Sequence, residues 1–196
     1  MKYVTILVLF LSYLMYPKNI KTENCIGVGP GGFSGFWYTY SKLKDLNYNG
    51  SFYCASSGCM SLILKDVNFI KVYSSARNIK QSNKTLAYMS KDFIEFSLDN
   101  INYVPDINIF TMNEYGTCFI NKPNSKQHLK SLLITTTNIP FIFGNHLRYY
   151  DGGLCYYWYN PCIYSINLPL TFKFISNVLN YNMKLKDVLF FYTYSN

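Results

Sequence analysis

A short apolar run, Cys25-Ile26-Gly27-Val28, breaks at Gly29-Pro30-Gly31-Gly32-Phe33-Ser34-Gly35, and apolar positions at 36, 39, 40, 43 and 46 then recur with helical spacing. This pattern dictates strand, glycine loop, helix, because glycine lets the chain turn sharply out of a strand and approach its neighbours closely. A second unit of the same kind follows. Asn49-Gly50 supplies a turn, residues 52–55 a buried strand, and residues 57–65 a helix carrying Met60, Leu62, Ile63 and Leu64. Residues 66–100 read as mostly helical, 107–111 and 117–120 as a strand pair around a turn at 114–116, and 125–133 as another helix. Residues 139–140 open an extended segment, 147–150 run apolar into Asp151-Gly152-Gly153, and a helix over 175–194 closes the domain. Strands alternating with helices, without internal repeat or low-complexity linker, predict an α/β sheet covered on both faces.

At 196 residues the chain has the length of a single domain, so any active site is assembled within one core. Hydrophobic residues make up 49% and charged residues 14%, which excludes disordered, collagen-like and coiled-coil chains. The 20 Tyr and 15 Phe favour strands and amphipathic surfaces over a plain helical bundle. Net charge is +8 and almost wholly lysine, Arg77 and Arg148 being the only arginines. Such a balance suits an anionic partner, although AT-rich coding yields the same bias towards Lys, Asn, Ile and Tyr. Nucleic acid is not expected as that partner, because the lysines form no stripe and no arginine cluster offers bidentate contacts.

The six cysteines show no paired CxxC spacing, so no metal site is expected. Cys54 and Cys59 fall in a tight strand-to-helix turn and read as buried free thiols, which points to a reducing compartment. The N-terminus points the other way. Lys2 precedes an apolar run over residues 3–16, then Pro17, Lys18 and Lys21. That length suits a signal-peptide core and falls short of the ~20 residues that span a bilayer. Residues 1–20 are read as a signal peptide or membrane anchor, with a buried element of the domain as the remaining alternative. The compact domain is taken to run from 24 to 196. On a secretory route, Asn49-Gly50-Ser51 and Asn83-Lys84-Thr85 become glycosylation acceptors.

Three segments combine reactive groups with special backbone demands. Pro30-Gly31-Gly32-Phe33-Ser34-Gly35 can present backbone N–H groups at a helix start, as a cradle for a phosphate or a developing oxyanion or as a purely structural turn. Cys54-Ala55-Ser56-Ser57-Gly58 fits a nucleophile elbow, in which a strained serine is flanked by small residues so that strand and helix can approach. Ser57 competes as nucleophile in the frame 55–59, but the frame of Ser56 keeps Gly58 at the second outer position. Tyr149-Tyr150-Asp151-Gly152-Gly153 is either a turn or a carboxylate at a strand end with room for substrate beside it. His128 and His146 are the only histidines, and neither sits in a motif that would complete a Ser-His-Asp triad.

Taken in order, PGGFSG, CASSG and YYDGG resemble the signatures GGGxxG, GxSxG and DGG of the patatin-like phospholipase family, closest in flavour to its adiponutrin-type members. The flanks agree: Phe36-Trp37-Tyr38 and Leu43 follow the glycine loop, and residues 135–141, TTTNIPF, precede YYDGG as a small-polar Ile-Pro segment does in that family. The resemblance spans residues 24–161. It implies a three-layer α/β fold with a central, mostly parallel sheet, and a Ser56–Asp151 dyad that needs no histidine, metal or cofactor. It further implies an oxyanion hole from Gly31, Gly32 and Gly35, with Gly58, Gly152 and Gly153 in support. The expected activity is release of fatty acids from phospholipid esters through an acyl-Ser56 intermediate, on a domain associated with a membrane interface through its N-terminal segment. An inactive lipid-binding module of the same fold and a triacylglycerol lipase are the alternatives. The chain departs from the family at Pro30, which has no N–H to donate, at Cys54 in place of the first elbow glycine, and at CYYWY, which separates DGG from Asn160-Pro161.

Overall fold

The structure, a computed structural model, describes residues 22–82, 84–139, 149–169, 171–178, 180 and 182–194. The expectations for residues 1–20, for the segment opened at Pro140 and for His146 lie outside the described residues.

Among the described residues the chain forms an α/β fold with six strands and eight helices. In chain order the elements are β1 (Thr22–Val28), α1 (Gly32–Lys44), β2 (Ser51–Cys54), α2 (Ser57–Leu64), α3 (Phe69–Gln81), α4 (Leu86–Asp99), β3 (Ile107–Asn113) and β4 (Cys118–Asn121). These are followed by α5 (Lys126–Thr136), β5 (Tyr149–Asp151), α6 (Gly153–Tyr159), β6 (Cys162–Ile166), α7 (Phe172–Ser176) and α8 (Leu185–Thr193). The strands form one sheet in the order β4-β3-β2-β1-β6, with β5 pairing β3 off this path. The pairings β1 with β2, β1 with β6 and β2 with β3 are parallel, whereas β4 and β5 each run antiparallel to β3.

Alternation along the strands assigns the two faces. Val28, Phe52, Cys54, Ile107 and Ile109 belong to the main core together with side chains of α1, α2, α4, α5, α7 and α8. On the opposite face Phe110 packs with Ala55, Cys155 and Tyr156, so the short helix α6 covers that side. Every residue of α2 is buried, as its run of small and apolar side chains requires. By contrast α3 buries only Val72 and is amphipathic, with the Asn68 side chain accepting the Ile70 N–H as its cap.

Three expectations are revised. The strand β6 was not anticipated: Cys162-Ile163-Tyr164-Ser165-Ile166 is half exposed at the sheet edge and lacks a clean alternating pattern. The helix expected over 175–194 is formed only as α8, with α7 ending at Ser176 ahead of it, because Asn177 bonds the Lys173 carbonyl and Asn180 and Asn182 continue a local chain of amide contacts that competes with helix. Cys54 and Cys59 are not free thiols. The elbow brings their Cα atoms to 5.0 Å and a disulfide joins them. Disulfides also join Cys25 of β1 to Cys162 of β6 and Cys118 of β4 to Cys155 of α6, which pairs all six cysteines.

Candidate active site

Ser56 follows Ala55 in the two-residue turn between the end of β2 and the start of α2, with φ 53° and ψ −131°. Among the described residues it is the only non-glycine in the left-handed half of φ space. A serine there is strained by of order 1–3 kcal/mol and persists only where its surroundings hold it. Its backbone N–H donates to Thr136 Oγ1 at 2.9 Å, and that hydroxyl donates in turn to the Phe110 carbonyl at 2.7 Å. The last residue of α5 thus ties the elbow to β3. Gly58 permits the sharp approach of α2 to β1: a Cβ at this position would lie 2.5 Å from the carbonyl oxygens of both Val28 and Gly29.

Asp151 reaches Ser56 through sheet topology. On one edge of β3, residues Ile107 to Ile109 pair with β2, and the next residues, Thr111 to Asn113, pair with β5, which therefore continues that edge beyond the point where β2 ends. Asp151 lies opposite Thr111, with its N–H held by the Asn138 carbonyl at 2.9 Å. Its carboxylate accepts the Gly153 N–H at 2.7 Å, and the Ser56 hydroxyl lies close enough to favour its charged form. Burial pushes the Asp151 carboxyl up to about 6, against smaller downward pulls from those two donors. Gly152 lets this turn sit on β3, since a Cβ there would lie 2.0 Å from the Phe110 carbonyl oxygen. Gly153 abuts Pro30, so the aspartate turn and the glycine loop meet.

The glycine loop presents its groups unequally. Gly31 N–H donates to Ser57 Oγ at 3.0 Å, and Gly35 N–H donates to the Gly31 carbonyl at 2.9 Å as part of the first helical turn. Two of the three glycines expected to offer N–H groups therefore use them internally in this conformation. Gly32, at φ +56°, lines the cavity beside Ser56 and Ser57. Ser57 begins α2, and its side chain is engaged by Gly31.

Ser56 is 6% exposed and opens into a cavity of about 620 Å³. Its walls are mainly Phe36, Trp37, Met60, Tyr73, Met89 and Phe93, contributed by α1, α2, α3 and α4. That size and apolar lining suit a small organic ligand or a lipid chain. His128 is absent from the cavity wall and bonds Asn124 through its ring. Among the described residues no three His, Cys, Asp or Glu side chains are grouped so as to hold a metal ion. Thr136 was not singled out from the sequence, although it belongs to the small-polar segment that precedes YYDGG. No protein-family model, curated protein or solved structure matches the chain.

Proposed function

We propose that the chain is a serine acylhydrolase of the patatin type that cleaves acyl esters of lipids through a Ser56–Asp151 dyad. The observation that carries this reading is the strained Ser56 at a strand-to-helix elbow, with its hydroxyl near a desolvated carboxylate and its side opening into an apolar cavity. In the reaction Asp151 takes the Ser56 proton as Oγ attacks the ester carbonyl. Collapse of the tetrahedral intermediate expels the alcohol, which takes up that proton. Water, activated by the same carboxylate, then releases the fatty acid from acyl-Ser56. Gly32 and the N–H of Ser57, at the start of α2, are the groups best situated to meet the oxyanion, aided by the positive end of that helix.

A phospholipid or other acyl lipid at a membrane interface is the proposed substrate. The paired cysteines support an oxidising compartment, which agrees with reading residues 1–20 as an export signal or anchor. No helix among the described residues is long and apolar enough to cross a membrane.

The inert lipid-binding alternative has one observation in its favour, the internal use of the Gly31 and Gly35 N–H groups. A fluorophosphonate probe and a p-nitrophenyl acyl ester separate the two readings. The enzyme reading expects labelling and hydrolysis in the wild type, and loss of at least a hundredfold of the hydrolysis in both Ser56→Ala and Asp151→Asn. Absence of both signals in a folded wild-type protein would leave only the binding module.

A further inference from the structure

The solvent end of the Ser56 cavity carries charge of one sign. Arg77 and Lys80, near the end of α3, and Lys184, which caps α8, line it, and among the described residues no acidic side chain does. This bias is local. Of the ten acidic residues, Asp66, Asp92, Asp106 and Glu95 pair with Lys65, Lys84, Lys122 and Lys130, all away from the cavity wall. Asp187 lies three residues after Lys184, but its carboxylate accepts the Lys184 backbone N–H as part of the helix cap. Phe36, Trp37, Met60 and Met89 of the wall are buried like Ser56, whereas Arg77 and Lys184 are exposed and Lys80 half-buried, so the lining changes from apolar where it is buried to cationic where it meets solvent.

We infer that this cavity selects an anionic amphiphile, with the hydrocarbon chain against Phe36, Trp37, Met60 and Phe93 and a phosphate-class headgroup held by Arg77, Lys80 and Lys184. Its role as substrate rests on the dyad reading above. The charge complementarity does not. An apolar tail alone would need no cation at the mouth, and three cations without an ion pair among the described residues, beside an apolar wall, attract a ligand that joins both properties. Arg77 adds a planar fork that grips phosphate oxygens in pairs, which the two lysines cannot do. The three are specificity residues and take no part in bond breaking.

The test measures Trp37-dependent fluorescence and calorimetric binding on the wild-type chain, with three ligands below their micelle concentrations at pH 8. Dodecyl phosphate supplies tail and anion, 1-O-dodecylglycerol the same tail without charge, and inorganic phosphate the anion without a tail. None of them carries an acyl ester. The expected result is dodecyl phosphate at least tenfold tighter than the neutral ether, and no measurable binding of inorganic phosphate. In R77Q/K80Q/K184Q the preference should fall below threefold. It should persist in K71Q/K91Q/K186Q, which removes equal charge from exposed lysines off the cavity wall. Each rim residue is also changed singly, so that misfolding of the triple variant leaves a readable series.

Equal affinity for the two amphiphiles, a preference that survives the rim variant, or one lost equally in the control variant would overturn the inference. Hydrolysis of a neutral p-nitrophenyl ester on the same preparation keeps the two readings apart. Hydrolysis without anionic preference overturns the selectivity and spares the dyad, whereas anionic preference without hydrolysis does the reverse.

Discussion

Asp151 carries the strongest residue-scale consequence, because its proton affinity is raised by burial while its proposed work as a base requires the ionised form. A carboxyl that titrates near 6 is a base suited to neutral pH. Hydrolysis of a p-nitrophenyl ester is therefore expected to rise tenfold per unit on the acid side and level off above about 6; a rate flat from pH 4 to pH 8 would exclude Asp151 as the base. The same shift has a stability sign. Between the ordinary carboxylate value, about 4, and the folded value, about 6, the native state holds the extra proton, so stability falls as pH rises through that window and stays lower above it. Asp151→Asn is thus expected to unfold later than the wild type at pH 8, by roughly 1–3 kcal/mol, and to match it near pH 3, as chemical denaturation at the two pH values would show. The strained Ser56 and the aspartate turn were legible in the sequence because each demands residue types few other places need: small neighbours in one case, adjacent glycines in the other. Thr136 was not legible, since a threonine that binds a distant N–H looks like any other threonine in a helix.

Among elements, the approach of α2 to β1 sets where Ser56 stands. Its two neighbouring glycine sites should respond oppositely to one methyl group. At Gly58 a Cβ would strike two backbone carbonyls at 2.5 Å, so Gly58→Ala must displace the helix and is expected to cost roughly 1–3 kcal/mol and most of the hydrolytic rate. At Gly35 the nearest atom is the end of the Leu168 side chain at 3.4 Å, the N–H is kept, and helix propensity favours alanine by about 1 kcal/mol. Thermal unfolding and ester hydrolysis of the two variants side by side check the contrast, and equal damage from both would show that packing at Gly58 is not the constraint. Elements with strong local signals, β1 to α2 and the β3–β4 pair, were read from the sequence with small boundary errors. The edge strand β6 and the break between α7 and α8 were not, because pairing with β1 stabilises the one and side-chain amide contacts interrupt the other, and neither leaves a periodic trace. The cationic rim was equally hidden, as its members lie at 77, 80 and 184 and only the fold brings them to one cavity.

For the whole molecule the disulfides divide into local and global. Cys54–Cys59 closes a separation of 5 residues around the elbow, whereas Cys25–Cys162 closes one of 137 and clamps the edge strand to the sheet. Chain-entropy arguments assign most stabilisation to the long loop, about 4–5 kcal/mol before any native strain. Cys25→Ser/Cys162→Ser is accordingly expected to lower the unfolding free energy by about 2–5 kcal/mol, with a loss several times that of Cys118→Ala/Cys155→Ala excluded by the slow growth of loop entropy with length; urea titration of both pairs checks the order. Six cysteines spread through a chain do not disclose their partners, because pairing follows tertiary proximity, and the free-thiol reading of Cys54 and Cys59 rested on their place in a tight turn.

The clamp between β1 and β6 also bears on timing. Cys25 is made early and Cys162 late, so a nascent chain holds one half of the bond while most of the domain is still unwritten. The strand beside β1 on its outer edge arrives only then. Premature oxidation can offer Cys25 only partners that must later be exchanged, and the domain closes as its final strand docks. The native pairing of Cys25 therefore waits on synthesis of the strand that carries Cys162.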